Sequence, residues 1–150
     1  MFGVTFDVFT SEQDLRDKGL VEEALQRLTS LDMVYKQDEA LWLKTTEFGD
    51  DKDRVIRKSD GSYSYLMPDI AYHLDKIHRG FNWMVDFLGA DHHGYVTRLT
   101  AAIEALQVNA SLEIDIIQIA RMIKDGEEFK LSKRSGKAVA LKDLIEIAGK

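Results

Sequence analysis

The chain has 150 residues, 45% of them hydrophobic and 31% charged, with a formal net charge of −6 and no cysteine. That length is enough for one domain around a single hydrophobic core, and the composition is that of an ordinary water-soluble protein. The totals exclude a disulfide framework, a thiolate metal site, a bilayer-spanning run of roughly 20 apolar residues, and a surface that grips nucleic acid over its whole extent.

In chain order, Val4-Thr5-Phe6-Asp7-Val8-Phe9 alternates like a strand, and Ser11-Glu12-Gln13-Asp14 offers a capping-box start for a short helix. Beyond Gly19, the spacing of Val21, Ala24, Leu25 and Leu28 predicts a second helix running to about Ser30. From 33 to 66 the pattern changes to the short extended runs Met33–Tyr35, Ala40–Leu43, Arg54–Arg57 and Tyr63–Leu66, which predict a small antiparallel region. Asp60-Gly61 is its clearest hairpin turn, and Gly49-Asp50-Asp51-Lys52-Asp53 reads as a charged, solvated loop with no chemical role for its aspartates. Pro68 sits where a first helical residue would, followed by the apolar face Ile70, Ala71, Leu74 and Ile77, and Gly80 closes that helix. Trp83–Leu88 reads as a buried strand stopping at Gly89. Val96, Leu99, Ile103 and Leu106 mark a helix, and 112–119 a strand. Helix, strand, helix, strand is the signature of an α/β protein with a parallel sheet. Asp125-Gly126 is a second hairpin turn, and a basic segment then leads toward a last helix through Leu141, Leu144, Ile145 and Ala148.

Three segments carry chemistry. Lys130-Leu131-Ser132-Lys133-Arg134-Ser135-Gly136 gathers cations and hydroxyls in a loop beside a predicted α/β core. It reads either as a solvated basic loop or as a clamp on phosphates, for which lysine supplies a compact charge on a flexible stem. Gly89-Ala90-Asp91-His92-His93-Gly94-Tyr95 follows a strand and opens a helix, the place where an open α/β sheet binds ligands. Its adjacent histidines read as a surface pair or half a metal site, with no third ligand evident. Tyr65 and Asp69 stand four residues apart at a helix entrance. An acid there complements the helix dipole, but a carboxylate is also the natural partner of a planar guanidinium.

The basic segment resembles the lysine-methionine-serine-lysine-serine loop of class I aminoacyl-tRNA synthetases, with Leu131 for Met, a volume-conserving change, and Arg134 for the second serine, as in the arginine-specific members. Gly89-Ala90-Asp91 resembles the ribose-binding strand end of that class, and the run to Tyr95 resembles the arginyl family. Phe6-Asp7-Val8, Ala40–Leu43, Gly49–Val55 and Asp125-Gly126-Glu127-Glu128 are similar to segments of bacterial arginyl-tRNA synthetases in the same order.

The resemblance implies a Rossmann-like parallel sheet with a small antiparallel β insertion. Residues 1–150 are then a fragment of the catalytic domain, its C-terminal half, with 33–66 the antiparallel region and 67–150 the second half of the nucleotide-binding fold. It assigns Lys130, Ser132 and Lys133 to catalysis. Gly89, Asp91 and His92 are placed at ATP with Lys130, Leu131, Ser132 and Lys133, while Tyr65, Asp69 and His93 are placed at arginine. It implies that the arginine carboxylate attacks the α-phosphorus of ATP, pyrophosphate leaves, and a terminal ribose hydroxyl of tRNA takes the arginyl group. Partners are then arginine, ATP and tRNA, with Mg2+ carried on the ATP phosphates, no tightly bound cofactor, no metal cage and no membrane. The start Met1-Phe2-Gly3 has no leader character, which points to the cytoplasm.

The histidine-any-glycine-histidine loop that binds ATP in this class is absent from the 150 residues. The expectation is therefore a piece of a larger enzyme, inactive alone. The alternatives are a synthetase-derived binding module without chemistry, or another nucleotidyltransferase whose adenylyl transfer is independent of arginine.

Overall fold

The computed structural model describes residues 3–118, together with 123–124, 127–128, 142 and 145. The chain divides into two compact units, Met1–Ile117 and Gln118–Lys150.

The first unit opens differently from the alternation in its sequence. Residues 3–10 are irregular rather than a strand, and Val4, Phe6, Val8 and Phe9 are exposed, Phe9 by 81%. Alternation specifies only which side chains share a face. A strand also needs a ladder partner, and no described strand pairs with this segment. Helix α1 (Glu12–Asp17) starts where expected, with Ser11 Oγ accepting the Gln13 N–H at 3.2 Å. Gly19, at φ 72°, turns the chain into α2 (Leu20–Ser30), which buries Val21, Ala24 and Leu28. The positive φ is one that glycine adopts without strain.

An antiparallel sheet follows in the order β1 (Val34–Gln37), β2 (Ala40–Leu43), β3 (Arg54–Arg57), with Tyr35 opposite Trp42 and Trp42 opposite Val55. The expected fourth run, Tyr63–Leu66, is not a strand. Tyr63 makes a single bridge to Arg57, and Leu66 is already the first residue of α3 (Leu66–His78). Pro68 is therefore the third helical residue rather than the first. It fits because N–H groups throughout the first turn lack intrahelical acceptors. At the other end Gly80, at φ 93°, and Phe81 donate their N–H groups to the Ile77 and Lys76 carbonyls at 2.9 and 3.2 Å, closing a Schellman motif.

Strand β4 (Trp83–Gly89), a 3₁₀ turn (Ala90–Tyr95), α4 (Val96–Glu104) and β5 (Ser111–Ile117) complete a parallel β-α-β unit, with Trp83 opposite Ser111 and Gly89 opposite Ile117. Only one face of β4 is buried, contrary to the reading of 83–88 as a strand covered on both sides. Met84 is 4% exposed, whereas Trp83 and Phe87 are 63% and 68% exposed. The reason is coverage: among the described residues, β4 pairs only with β5, and the helices of the unit bury one face of that pair. Among the described residues no helix is long and apolar enough to cross a membrane.

The core gathers around α3, where Leu66, Met67, Ile70, Ala71 and Leu74 join Val21 and Leu28 of α2, Leu43 and Ile56 of the antiparallel sheet, Met84 of β4, and Leu99 and Ile103 of α4. Each fully buried Leu, Ile or Met contributes about 1.5–3 kcal/mol. Arg27 of α2 donates through Nε to the Leu106 carbonyl at 2.8 Å, tying α2 to the chain leaving α4.

In the second unit β6 (Ile123–Lys124) and β7 (Glu127–Glu128) pair antiparallel, Lys124 opposite Glu127. This matches the hairpin expected around 125–126, two residues that lie outside the described set. Lys142 and Ile145 are helical, and the rest of the expected last helix also lies outside it.

The loop read as solvated is exposed at Gly49, Asp51 and Lys52 but folds Asp50 and Asp53 inward. The Asp50 side chain is 3% exposed and receives Arg54 Nε and Nη2 at 2.7 Å each, a bidentate pair that holds its carboxyl well below the usual carboxylate range. Asp53 accepts from the Tyr35 hydroxyl at 3.0 Å and from the Thr46 backbone and hydroxyl at 3.1 and 2.7 Å. Buried Thr45 donates to the Lys52 carbonyl at 2.8 Å. Asp50→Ala leaves the Arg54 guanidinium only the exposed Asp51 carboxylate and should cost about 2 kcal/mol in urea unfolding, below the scale for a buried charge left with no partner. A loss below about 0.5 kcal/mol would return the loop to the ordinary surface class.

Candidate functional site

Helix α3 is amphipathic in an unusual sense. One side supplies the core, and another carries Asp69, His73 and Lys76, spaced four and three residues apart so that they stack on one face. All three meet partners from the β4-to-α4 segment. A ring N–H of buried His73 donates to Asp86 Oδ2 at 2.9 Å, while Nδ1 lies 2.8 Å from the Asp69 carbonyl. Lys76 Nζ donates to Asp86 Oδ1 at 2.9 Å and sits 4.5 Å from the centre of the Tyr72 ring. Burial pushes the Asp86 carboxyl up, but the donors His73 and Lys76 outweigh it and bring the pKa down to about 2.

Asp69 itself is half-buried and accepts the Tyr95 hydroxyl on Oδ2. Burial raises its pKa, and the Tyr95 bond and the nearby His73 work against that rise. Tyr95 is the mirror case: burial and the adjacent Asp69 carboxylate both push its phenol up, so it stays a donor. The guanidinium of Arg98 lies 5.5 Å from the Tyr95 ring centre.

Tyr65 caps the start of α3 and is 93% exposed. With Tyr95, Arg98, Ser64, Trp42 and Lys52 it lines an open cleft of about 380 Å³ between the antiparallel sheet and the entrances of α3 and α4. Asp69 adjoins that cleft through Tyr95.

At the carboxyl end of β4, Asp91, His92 and His93 are all exposed on the 3₁₀ turn. His92 Nε2 is 3.8 Å from Asp91 Oδ2. Gly89 has φ −65° and ψ 154°, extended backbone that any residue adopts. Its requirement is room: a Cβ there would stand 2.6 Å from Asp91 Oδ1, so any larger residue displaces that carboxylate. Among the described residues no three His, Asp or Glu side chains are grouped to hold a metal ion.

The structure thus brings the two predicted groups to adjoining places. Tyr65 and Asp69 come from α3; Gly89, Asp91, His92 and His93 come from the turn after β4; Tyr95 bonds the second to the first. The expected loop residues Lys130, Leu131, Ser132 and Lys133 lie outside the described residues. Sequence reasoning gave no role to Tyr95, His73, Lys76 or Asp86. The spacing of His73 and Lys76 from Asp69 was a usable signal; nothing local links Tyr95, 26 residues away, to Asp69.

The arrangement offers a half-buried carboxylate at a helix entrance beside an open strand end, and the similarity to known proteins runs over nearly the whole chain. Residues 3–150 match the family described as tRNA synthetases class I (R), catalytic domain. The chain belongs to that family. It is 53% identical over 149 residues to an arginine–tRNA ligase of Bacillus velezensis and 52% identical to that of Bacillus subtilis, in each case over 99% of this chain and 27% of the relative. A solved structure of an arginyl tRNA synthetase from Campylobacter jejuni superposes with a TM-score of 0.84 at 36% identity, covering 95% of this chain and 31% of that one. The chain therefore spans about a quarter of the length of the curated relatives it matches. As expected for this family, it has α/β architecture with a parallel pair and a small antiparallel sheet.

The His73–Asp86–Lys76 cluster makes a pH-dependent contribution with a definite sign. The folded pKa of Asp86 is about 2, below an unfolded value of about 3.9, so the stabilisation is complete above the unfolded value and is lost as pH falls toward 2. The expected size is about 2 kcal/mol. Urea unfolding should show wild type exceeding Asp86→Asn by that amount at pH 7 and by about half of it at pH 3. An equal gap at both pH values would place the effect elsewhere.

Proposed function

We propose that this chain forms the arginine- and ATP-binding part of an arginine–tRNA ligase, which activates arginine as its adenylate and transfers it to tRNA. The observation that carries the reading is the half-buried Asp69 carboxylate, presented beside the β4 strand end in a chain of this family. A carboxylate held away from bulk water is a fitting partner for a guanidinium, which offers parallel N–H donors and never loses its charge. Its second oxygen and remaining lone pairs are left for a ligand by the Tyr95 bond.

In this reading Tyr65, Asp69 and His93 face arginine, and Gly89, Asp91 and His92 face ATP. The Asp91 carboxylate, lying against Gly89 and exposed, suits a ribose. Lys130, Leu131, Ser132 and Lys133 close on the phosphates, with Lys130, Ser132 and Lys133 stabilising charge as pyrophosphate leaves. Mg2+ travels with ATP, and the enzyme works in the cytoplasm. Catalysis by such a site is chiefly positioning and charge stabilisation.

Two substitutions in the full-length enzyme carrying this segment separate the roles. Asp69→Asn should weaken arginine binding by about 2–5 kcal/mol, the cost of truncating one side of a buried charge pair, while ATP affinity and melting temperature stay near wild type. Lys133→Ala should slow pre-steady-state adenylate formation by about 2–4 kcal/mol with arginine affinity unchanged. Arginine binding within about threefold of wild type in Asp69→Asn, under 1 kcal/mol, removes Asp69 from the site. Adenylate formation that continues without arginine would favour a different nucleotidyltransferase.

A further inference from the structure

We propose that Tyr95 is a positioning residue for arginine recognition, acting through its hydroxyl bond to Asp69; this rests on the reading of Asp69 as the guanidinium partner. Asp69 leaves the α3 backbone at the edge of the core, where a carboxylate is free to rotate and, being half-buried, is drawn toward its neutral form. The Tyr95 hydroxyl removes both freedoms. It fixes Oδ2, and it binds the ionised form more strongly than the neutral acid, so it opposes the effect of burial.

Tyr95 is itself well placed to do this. It is the last residue of the 3₁₀ turn, partly buried, with Val96 of α4 following directly, and the Arg98 guanidinium lies against its ring. Burial and the facing carboxylate keep its phenol protonated, so the donor is present throughout the working pH range. A carboxylate has about four acceptor positions, and Tyr95 uses one. The others stay open to two parallel N–H donors.

Because the hydroxyl favours the ionised acid, losing it has a readable sign. The other charged or titratable groups acting on Asp69 are Glu12 of α1, His73 on α3 and Asp86 of β4, with Arg98 acting on Tyr95; none is altered by Tyr95→Phe. That substitution keeps the ring and the Arg98 packing. In the 150-residue chain, the Asp69 side-chain carboxyl followed by carbon-13 NMR should titrate at higher pH in Tyr95→Phe than in wild type.

In the full-length enzyme, Tyr95→Phe should raise KM for arginine about tenfold, the scale of one hydrogen bond to a charged group, with KM for ATP unchanged. The acid limb of kcat/KM for arginine should also move to higher pH, which a merely structural role would not do. Asp69→Asn measured alongside separates the two layers of the argument. If Asp69→Asn loses arginine but Tyr95→Phe keeps KM within twofold and the acid limb in place, the positioning role is overturned and the arginine reading stands. If Asp69→Asn also binds arginine normally, both fall. An NMR titration midpoint that is unchanged or lower in Tyr95→Phe overturns the proposal independently of any activity.

Discussion

Helix α3 must bury its apolar side to make the core while keeping charged groups beside it out of bulk water, and the remainder of the first unit is arranged around that constraint. Leu66, Met67, Ile70, Ala71 and Leu74 are almost fully enclosed. One helical turn away, Asp69, His73 and Lys76 would be costly at that depth if left unpartnered. Asp86 comes from the middle of β4, where its side chain reaches both His73 and Lys76. Tyr95 comes from the turn that ends β4 and satisfies Asp69. The polar groups therefore do for α3 and β4 what the core does for α3 and α2: they set which parts of the chain lie against each other.

This arrangement also explains why the candidate site sits where it does. A parallel β-α-β unit needs a crossover, and the crossover starts at the strand end, where Gly89 leaves room for the Asp91 carboxylate. The same stretch of backbone thus presents the strand-end residues to solvent and delivers Tyr95 inward to Asp69. The Asp69 carboxylate of α3 and the strand-end turn are thereby joined by one side chain. The antiparallel sheet completes the surroundings, and its shape depends on the Asp50–Arg54 and Asp53–Thr46 bonds that fold the intervening loop inward.

The sequence disclosed the helices whose apolar residues recur at helical spacing, because that spacing alone decides which face is buried. It was weaker for strands. Residues 4–9 alternate as a strand does and yet find no partner, while 83–89 form a strand whose outer face, Trp83, Val85 and Phe87, stays exposed. Tyr63–Leu66 has aromatic residues that suit a strand, yet the helix begins at Leu66, two residues before Pro68. In Gly49–Asp53 only the i,i+4 spacing of Asp50 and Arg54 hints at a pair, and nothing in the sequence signals the Asp53–Thr46 bond.

What the sequence determined by itself was the family, and it singled out Tyr65, Asp69 and the Gly89–His93 run as candidates, since both depend on local order and residue chemistry. Only the tertiary structure decided that Tyr95 donates to Asp69, that His73 and Lys76 share Asp86, and that Asp50 is buried with Arg54. The first two join α3 to the β4–α4 segment across 10 to 26 residues, and a spacing of that kind carries no signature until the core has packed. The Asp50–Arg54 pair is local, but its burial was not legible, because a charged run looks the same in sequence whether water or a folded loop surrounds it.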